Sequence, residues 1–373
     1  MTRTPTSFPR ALIAALLLMV GSVSACSPVY VIRAGIAEAR ILAARTPIAE
    51  VILDPATDPR TRDMLSWARE ARTFAIEDLE LEVGDAYTSY TELQSDTLAL
   101  VLSAAYPDRF QNVTWWFPVV GRVPYRGYFD YDAARGEEAD LQDEGFDTLL
   151  RPTAAFSTLG WFADPLLSTL LRSDEVELVE TLIHELSHNH LFVPGQIRFN
   201  ESFATFVGRA GAVEFFCGRK GGGPDTVKCS RARARWRDVQ RWSLFVDELI
   251  DDLESIYEDP TLDTPSKLEA REASWRRHQA RFTSEVEPSL ESLRFGAFMT
   301  EPLNNAVLLG QVRYYHRISD FSALLDRTGT LRDAVAELTA AVRDVPDPWQ
   351  LLEETASPPP DLSGTGTAPV PLA

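Results

Sequence analysis

The sequence predicts an α+β fold that is mostly helical and contains a small mixed β-sheet. Beyond Asp164, apolar residues recur every three or four positions almost to the end of the chain, as in amphipathic helices. A shorter segment, residues 114–129, is aromatic and β-branched and is punctuated by Gly121 and Gly127, which is typical of strands. Strands in one region and helices in another indicate an α+β domain.

The predicted elements follow one another along the chain. Two helices, over residues 31–51 and 60–81, form an N-terminal helical layer. The aromatic segment forms a strand pair or one bent strand, and a further strand covers residues 149–157. The C-terminal helical patterns cover residues 234–257, 266–293, 304–315 and 331–342.

The first 25 residues have the layout of a secretory signal. Arg3 and Arg10 precede an apolar run over residues 11–20, which is followed by small residues. The segment ends in Val-Ser-Ala-Cys, which resembles the lipobox of bacterial lipoproteins. That resemblance implies a lipid anchor on Cys26 in the cell envelope. With Ser27 next, it implies the outer membrane, facing the periplasm. The alternative is an ordinary signal with an incidental cysteine.

Composition limits the partners and the domain plan. Removal of residues 1–25 takes away two arginines and no acids, so the formal net charge changes from −19 to −21. Such an acidic protein is an improbable nucleic-acid binder, and acyl chains must supply any membrane attachment. We expect one large domain over residues 26–354, with an N-terminal part (26–163) and a C-terminal helical part (164–354). Residues 355–373, rich in Pro, Gly, Ser and Thr, are expected to be disordered.

Cys217 and Cys229 bracket a glycine-rich turn. In an oxidising compartment such a pair can form a disulfide, and closing so short a loop contributes roughly 3 kcal/mol. The alternative is a soft metal site, for which a neighbouring histidine is missing.

The segment His184-Glu185-Leu186-Ser187-His188 is the strongest functional motif. On a helix, residues four apart project from the same side, so His184 and His188 can bind one ion while Glu185 reaches a water on it. Asp174 is suited to cap the start of this helix. The alternative is an ordinary exposed His-Glu pair on a helix surface. A third ligand nearby would favour the metal site over this alternative.

A third ligand follows in Glu201. Pro194-Gly195 ends the first helix and turns the chain, and a second helical pattern begins near Phe199. Two helices joined by a tight turn pack side by side, which returns Glu201 to the histidines. His190 lies roughly 240° around the helix from His184 and is expected to face away. The three ligands leave a fourth position open, as in catalytic zinc sites.

His-Glu-x-x-His followed by Asn200-Glu201-x-x-Ala204 resembles the gluzincin superfamily. Within it, the chain resembles a bacterial family of zinc-dependent aminopeptidases over most of its length. The matching segments are residues 123–129 and 157–167, Leu-Asn-Asn-Ala at 303–306, and Tyr314-Tyr315.

The resemblance implies a peptidase with zinc as cofactor and peptides as substrates. Glu185 is then the general base, and Tyr314 or Tyr315 stabilises the developing oxyanion. Arg126, beside an expected edge strand, is a candidate for binding a substrate carboxylate. For each tyrosine and for Arg126, a purely structural role is the alternative.

Two other functions remain open on the residues alone. One is a zinc endopeptidase that processes envelope proteins. The other is a non-catalytic lipoprotein that uses zinc as a structural clamp, although structural zinc usually has four protein ligands. The sequence does not indicate the oligomeric state.

Overall fold

The computed structural model describes residues 39–93, 99–117, 121–128, 130–153, 164–218 and 222–353. Helices predominate over short strands in these ranges, which confirms the mostly helical α+β fold. Cys26, the signal segment and the tail 355–373 lie outside the described residues. Within the described ranges, no helix combines the length and the apolar character that crossing a membrane requires.

The helices are numbered here in chain order. They are α1 (Ile48–Leu53), α2 (Pro59–Glu77), α3 (Tyr131–Asp143), α4 (Glu175–His190), α5 (Ile197–Gly218), α6 (Val227–Glu258), α7 (Thr264–Arg281), α8 (Gly296–Thr300), α9 (Asn305–Tyr315), α10 (Ile318–Thr328), α11 (Leu331–Ala341) and α12 (Gln350–Glu353).

Within the described ranges, the strands form three small sheets. They are β1 (Thr46–Pro47), β2 (Ser89–Thr91), β3 (Ala99–Ala105), β4 (Trp115–Phe117), β5 (Gly121–Val123), β6 (Arg126–Tyr128), β7 (Asp147–Thr153) and β8 (Leu166–Leu167). β2 pairs with β1 antiparallel and with β8 parallel, which makes a mixed sheet. β3 lies between β6 and β7 in an antiparallel sheet, and β4 pairs with β5. The strands predicted within 114–129 are therefore confirmed.

The predicted helix over residues 31–51 is wrong as a continuous element. Residues 39–43 are helical, but Thr46–Pro47 pairs with β2 and α1 begins at Ile48. Pro47 explains the break, because proline has no N–H to donate and disfavours a helical conformation in the residue before it.

The predicted helix over residues 266–293 is too long. α7 ends at Arg281 and continues as a π turn (Phe282–Val286) and a 3₁₀ turn (Glu287–Ser289). Pro288 is incompatible with the interior of an α-helix, which accounts for the change. The other three C-terminal helices are confirmed as α6, α9 and α11.

The main hydrophobic core surrounds α4 and α5. Its buried residues extend along the chain from Ile48 to Leu352, and both α4 and α5 contribute long apolar stripes to it. A second cluster lies between α6, α7 and α9. The pair α4–α5 is thus held on several sides by other elements, which fixes the side chains that it carries.

Candidate metal centre

α4 carries the two histidines of the motif. Its N-cap is Asp174, whose Oδ1 accepts hydrogen bonds from the N–H groups of Val176 (3.0 Å) and Glu177 (3.2 Å). These bonds satisfy donors that the first helical turn leaves free. His184 and His188 follow in the second half of α4, and their side chains are only 15% and 10% exposed.

The turn between α4 and α5 is closed by Asn200. Its Oδ1 accepts from Val193 N–H and its Nδ2 donates to Val193 O, both at 2.9 Å. Gly195, within the turn, has φ +79°, a conformation that glycine adopts without strain. Asn200 therefore fixes the direction in which α5 leaves the turn, and it places its neighbour Glu201 beside the histidines.

The two helices approach each other closely at Gly208. A Cβ atom at this position would lie 2.6 Å from the carbonyl oxygen of Glu180 and 3.0 Å from His184 Cβ. Both distances are below normal contact, so that a larger residue would push α5 away from α4 beside His184.

A buried ionic cluster braces the helices one turn before His184. Glu180 is 4% exposed and forms ion pairs with Arg209 of α5 and with Arg235 of α6, the latter at 2.7 Å. Burial alone would lower the pKa of Arg235, but its hydrogen bond to Glu180 raises it. The cluster joins α4, α5 and α6 behind the metal centre.

Three potential ligand atoms converge between the helices. His184 Nε2 and His188 Nε2 lie 3.3 and 3.5 Å from Oε2 of Glu201, and donor atoms of all three residues lie within 4.8 Å of one another. Zinc with bonds of about 2.0–2.1 Å separates neighbouring tetrahedral ligands by roughly 3.3 Å. Two imidazoles and one carboxylate are also a known donor set for zinc. The cluster fits zinc in spacing and in donor chemistry.

The charges of the cluster are strongly coupled. Burial would raise the pKa of the Glu201 carboxyl, but hydrogen bonds from His184 and His188 hold it well below its usual range. Burial would likewise lower the pKa of His188, and the hydrogen bond to Glu201 raises it instead. Glu201 is therefore an anion at neutral pH, as a metal ligand must be.

Glu185 lies beside the ligands without a fixed partner. Its side chain is half-buried and forms no hydrogen bond or ion pair with any residue in the described ranges. Burial raises the pKa of Tyr87, and the charge of Glu185 raises it further, so this carboxylate and Tyr87 are close neighbours. The carboxylate of Glu185 is therefore not held by another described side chain.

Of the two adjacent tyrosines, the structure brings Tyr314 to the centre. Its ring centroid is 6.0 Å from that of His184. Burial and the charge of Glu201 raise the pKa of Tyr314, so its hydroxyl stays protonated at neutral pH. Tyr315 instead packs against Phe295, with ring centroids 6.0 Å apart, and borders both hydrophobic clusters.

For Arg126 the sequence left open a contact with a substrate carboxylate and a structural role, and the structure gives it a partner within the fold. It forms an ion pair with Glu137 of α3 at 3.0 Å. In the antiparallel sheet Arg126 stands opposite Leu102, which stands opposite Leu150. Side chains at such paired positions share one face, and that face packs against α3. Its neighbour Tyr125 therefore points to the other face.

Three residues that the sequence did not single out lie close to the cluster. The Arg313 guanidinium is 5.5 Å from the centroid of the Tyr125 ring. Burial raises the pKa of Tyr125, and the nearby charges of Arg313 and Arg151 lower it. Strand alternation from Arg126 could have indicated Tyr125, but no sequence pattern marks either arginine.

The remaining histidines have structural partners. His190 accepts a hydrogen bond from Glu82 N–H at 3.0 Å and contacts Thr339 Oγ1 at 3.2 Å, so it faces away from the cluster. His316 Nδ1 lies 2.6 Å from Asp247 Oδ1, and His278 Nδ1 lies 3.1 Å from a backbone carbonyl. The cysteines Cys217 and Cys229 are joined by a disulfide at the end of α5.

The fold and the cluster define the chain as an α+β protein with a two-histidine, one-glutamate site on a helix pair. The chain belongs to the family described as "Putative aminopeptidase", whose model matches residues 29–348. The family that contains this chain is therefore named for peptide hydrolysis. No curated protein and no solved structure matches the chain.

Proposed function

We propose that the chain is a zinc-dependent aminopeptidase of the gluzincin type. His184, His188 and Glu201 are the zinc ligands, and the observation that carries the proposal is the 3.3–3.5 Å spacing of their donor atoms. The three ligands leave one coordination position for catalysis. When bound, zinc supplies Lewis-acid chemistry that activates water for attack on a peptide carbonyl.

The side chains around the ligands have distinct tasks in this mechanism. Glu185, which has no partner among the described residues, takes the proton of the attacking water and passes it to the leaving amine. Tyr314, protonated at neutral pH because of burial and of Glu201, donates a hydrogen bond to the carbonyl oxygen as it gains charge.

The test compares Glu185→Gln with the wild type and with Glu177→Gln, a control that removes an exposed acid from the same helix. We expect about one zinc per chain in all three proteins and a loss of nearly all turnover only in Glu185→Gln, because Glu185 is a base and not a ligand. Metal analysis and peptide hydrolysis measure both. Full activity in Glu185→Gln, or a wild type that binds no zinc, would refute the proposal.

Removal of residues from the N-terminus is supported by the family description. The competing function is an endopeptidase that processes envelope proteins. Hydrolysis of free and N-acetylated forms of one peptide separates the two. We expect acetylation to abolish cleavage, and rapid cleavage of the blocked peptide would establish the endopeptidase.

We also propose lipid attachment at Cys26 and a position in the cell envelope, on the outer membrane and facing the periplasm. The support is the sequence of the N-terminal segment, and peptides, not nucleic acid, are the expected partners of so acidic a chain. Cell fractionation tests the anchor. The full chain should sediment with membranes and Cys26→Ser should not, and equal sedimentation would contradict lipidation.

A further inference from the structure

Arg151 and Arg313 come from two elements that lie side by side next to the metal centre. The first residues of α9 are hydrogen-bonded to the start of β7. Further along, a Cβ at Gly310 of α9 would lie 3.6 Å from Leu149 of β7. Arg313 follows Gly310 by about one helical turn, so both lie on the same face of α9. Arg151 follows Leu149 by two strand positions, so both lie on the same face of β7. The two guanidinium groups therefore belong to one region.

This region borders the catalytic tyrosine. Arg313 precedes Tyr314 in α9, and its guanidinium lies 5.5 Å from the Tyr125 ring. The charges of both arginines lower the pKa of Tyr314 and oppose the larger effect of burial. A group bound between the arginines would therefore lie beside Tyr314, whose ring is next to His184.

Neither arginine has an anionic partner among the residues that the structure describes. The side chains of Arg151 and Arg313 are half-buried, and neither forms a hydrogen bond or ion pair with a described residue. By contrast, Arg126 and Arg235 are paired with carboxylates. A half-buried cation without an anionic partner is costly, and two neighbouring ones also repel each other. In a chain with 55 acidic residues, this pair is better explained by a ligand than by folding.

We propose that Arg151 and Arg313 bind a carboxylate of the peptide substrate beside the metal centre. The planar guanidinium matches a carboxylate in charge and in hydrogen-bond geometry. The carboxylate is either the C-terminus of a short peptide or an acidic side chain near the cleaved bond. This inference rests on the proposed peptidase function, and it names the substrate class that the site selects.

The experiment uses two pairs of peptides that differ only in the carboxylate. Ala-Ala and Ala-Ala-amide test the C-terminus, and Glu-Ala-amide and Gln-Ala-amide test the side chain. The measured quantity is the ratio of kcat/KM within each pair. We expect a ratio of at least about 10 in one pair, since hydrogen bonds to charged groups contribute strongly. The ratio of kcat/KM for the peptide with the carboxylate to that for its amide partner should approach 1 in the double variant that combines Arg151→Gln and Arg313→Gln.

The control is Arg135→Gln, which removes an exposed cation from α3 on the opposite side of the sheet. It should keep the wild-type ratio, so that a general change in net charge is excluded. Ratios near 1 in both pairs of the wild type, or a high ratio that survives in the double variant, would overturn the inference. If the arginines acted only through Tyr314, the double variant would hydrolyse both peptides of a pair more slowly by the same factor. The ratio of their kcat/KM values would then stay as in the wild type.

A binding measurement separates this inference from the proposed function. Calorimetric titration of the same four peptides into zinc-loaded Glu185→Gln protein, with and without the two arginine substitutions, requires no turnover. Carboxylate preference in binding that depends on the arginines, together with a wild type that hydrolyses nothing, leaves the anion site standing and refutes the peptidase. Hydrolysis of the peptides without carboxylate preference would refute the anion site and leave the proposed peptidase function standing. The double variant should melt at or above the wild-type temperature, because it relieves repulsion.

Discussion

Tyr314 and Tyr315 are neighbours in the chain, yet they point to different environments. Successive helical residues are rotated by about 100°, so Tyr314 faces His184 while Tyr315 faces Phe295. Of these two tyrosines, Tyr314 is the one that lies beside a candidate metal ligand. The sequence left the two tyrosines as equal candidates, and helix rotation distinguishes them.

Tyr314→Phe removes one hydroxyl from the centre and nothing from the fold. We expect kcat to fall on the order of 100-fold, as is typical when one oxyanion donor is lost, with a smaller change in KM. Tyr315→Phe is the matched control and should stay within about 3-fold of the wild type, since its ring packing is retained. Steady-state kinetics on one peptide measures both. Equal losses in the two variants would show that the Tyr314 hydroxyl has no special role.

The side chains around the centre differ in how well the sequence predicts them. His184, His188 and Glu201 follow from helical spacing and a turn, which are local properties. Arg126 was a candidate for binding a substrate carboxylate because it lies in an expected edge strand, and a structural role was the alternative. Its ion pair with Glu137 depends on α3, an element that the sequence analysis did not predict. Contacts between distant segments are therefore what local patterns miss.

At the scale of elements, the metal centre depends on the contact between α4 and α5. Asn200 sets the direction of α5, and Gly208 lets the two backbones approach beside His184. The buried pair Glu180–Arg235 then joins α6 to both. A site shared by two helices requires that their separation be fixed to a fraction of an ångström.

Gly208→Ala should disturb this separation. The added Cβ would meet the Glu180 carbonyl and His184 Cβ, and overpacking of this kind costs about 1–3 kcal/mol. Zinc affinity should fall as well, because His184 moves relative to Glu201. Urea unfolding and competition with a chelator measure the two effects.

Gly136→Ala provides the contrast for this prediction. Gly136 is exposed within α3, where an added Cβ meets nothing within 4 Å, so the same substitution should stabilise by about 0.5–1 kcal/mol. If Gly208→Ala retained wild-type stability and zinc affinity, the close approach of the helices would be disproved.

Prolines explain where the predicted elements fail. The apolar spacing continues through Pro47 and Pro288, but each residue interrupts a helix.

β3 was missed although it is the central strand of its sheet. Its residues Ala99–Ala105 are nearly all apolar and lack the alternation that identifies a half-buried strand. Helix α4, with its cap at Asp174 and a long apolar stripe, was predictable from local signals alone.

For the whole molecule, the candidate metal centre lies on two helices that belong to the main hydrophobic core. The cluster that includes α4 and α5 contains buried residues of α1, α2, α6, α10, α11 and α12, so these elements pack around the helix pair. Tyr315 contacts both this cluster and the second one. A ligand that joins α4 to α5 should therefore stabilise the entire fold.

Zinc should raise the melting temperature of the folded chain through this linkage. At a free zinc concentration of 100 times Kd the expected gain is about 2.7 kcal/mol, on the order of 5 °C for a chain of this size. Glu185→Gln should show the full shift, since it retains the ligands, whereas Glu201→Ala should show little. Thermal unfolding of each protein with zinc and with a chelator measures the shift. An equal shift in Glu201→Ala would mean that the ion binds elsewhere, among the many other carboxylates of this acidic chain, and that the helix pair α4–α5 does not hold it.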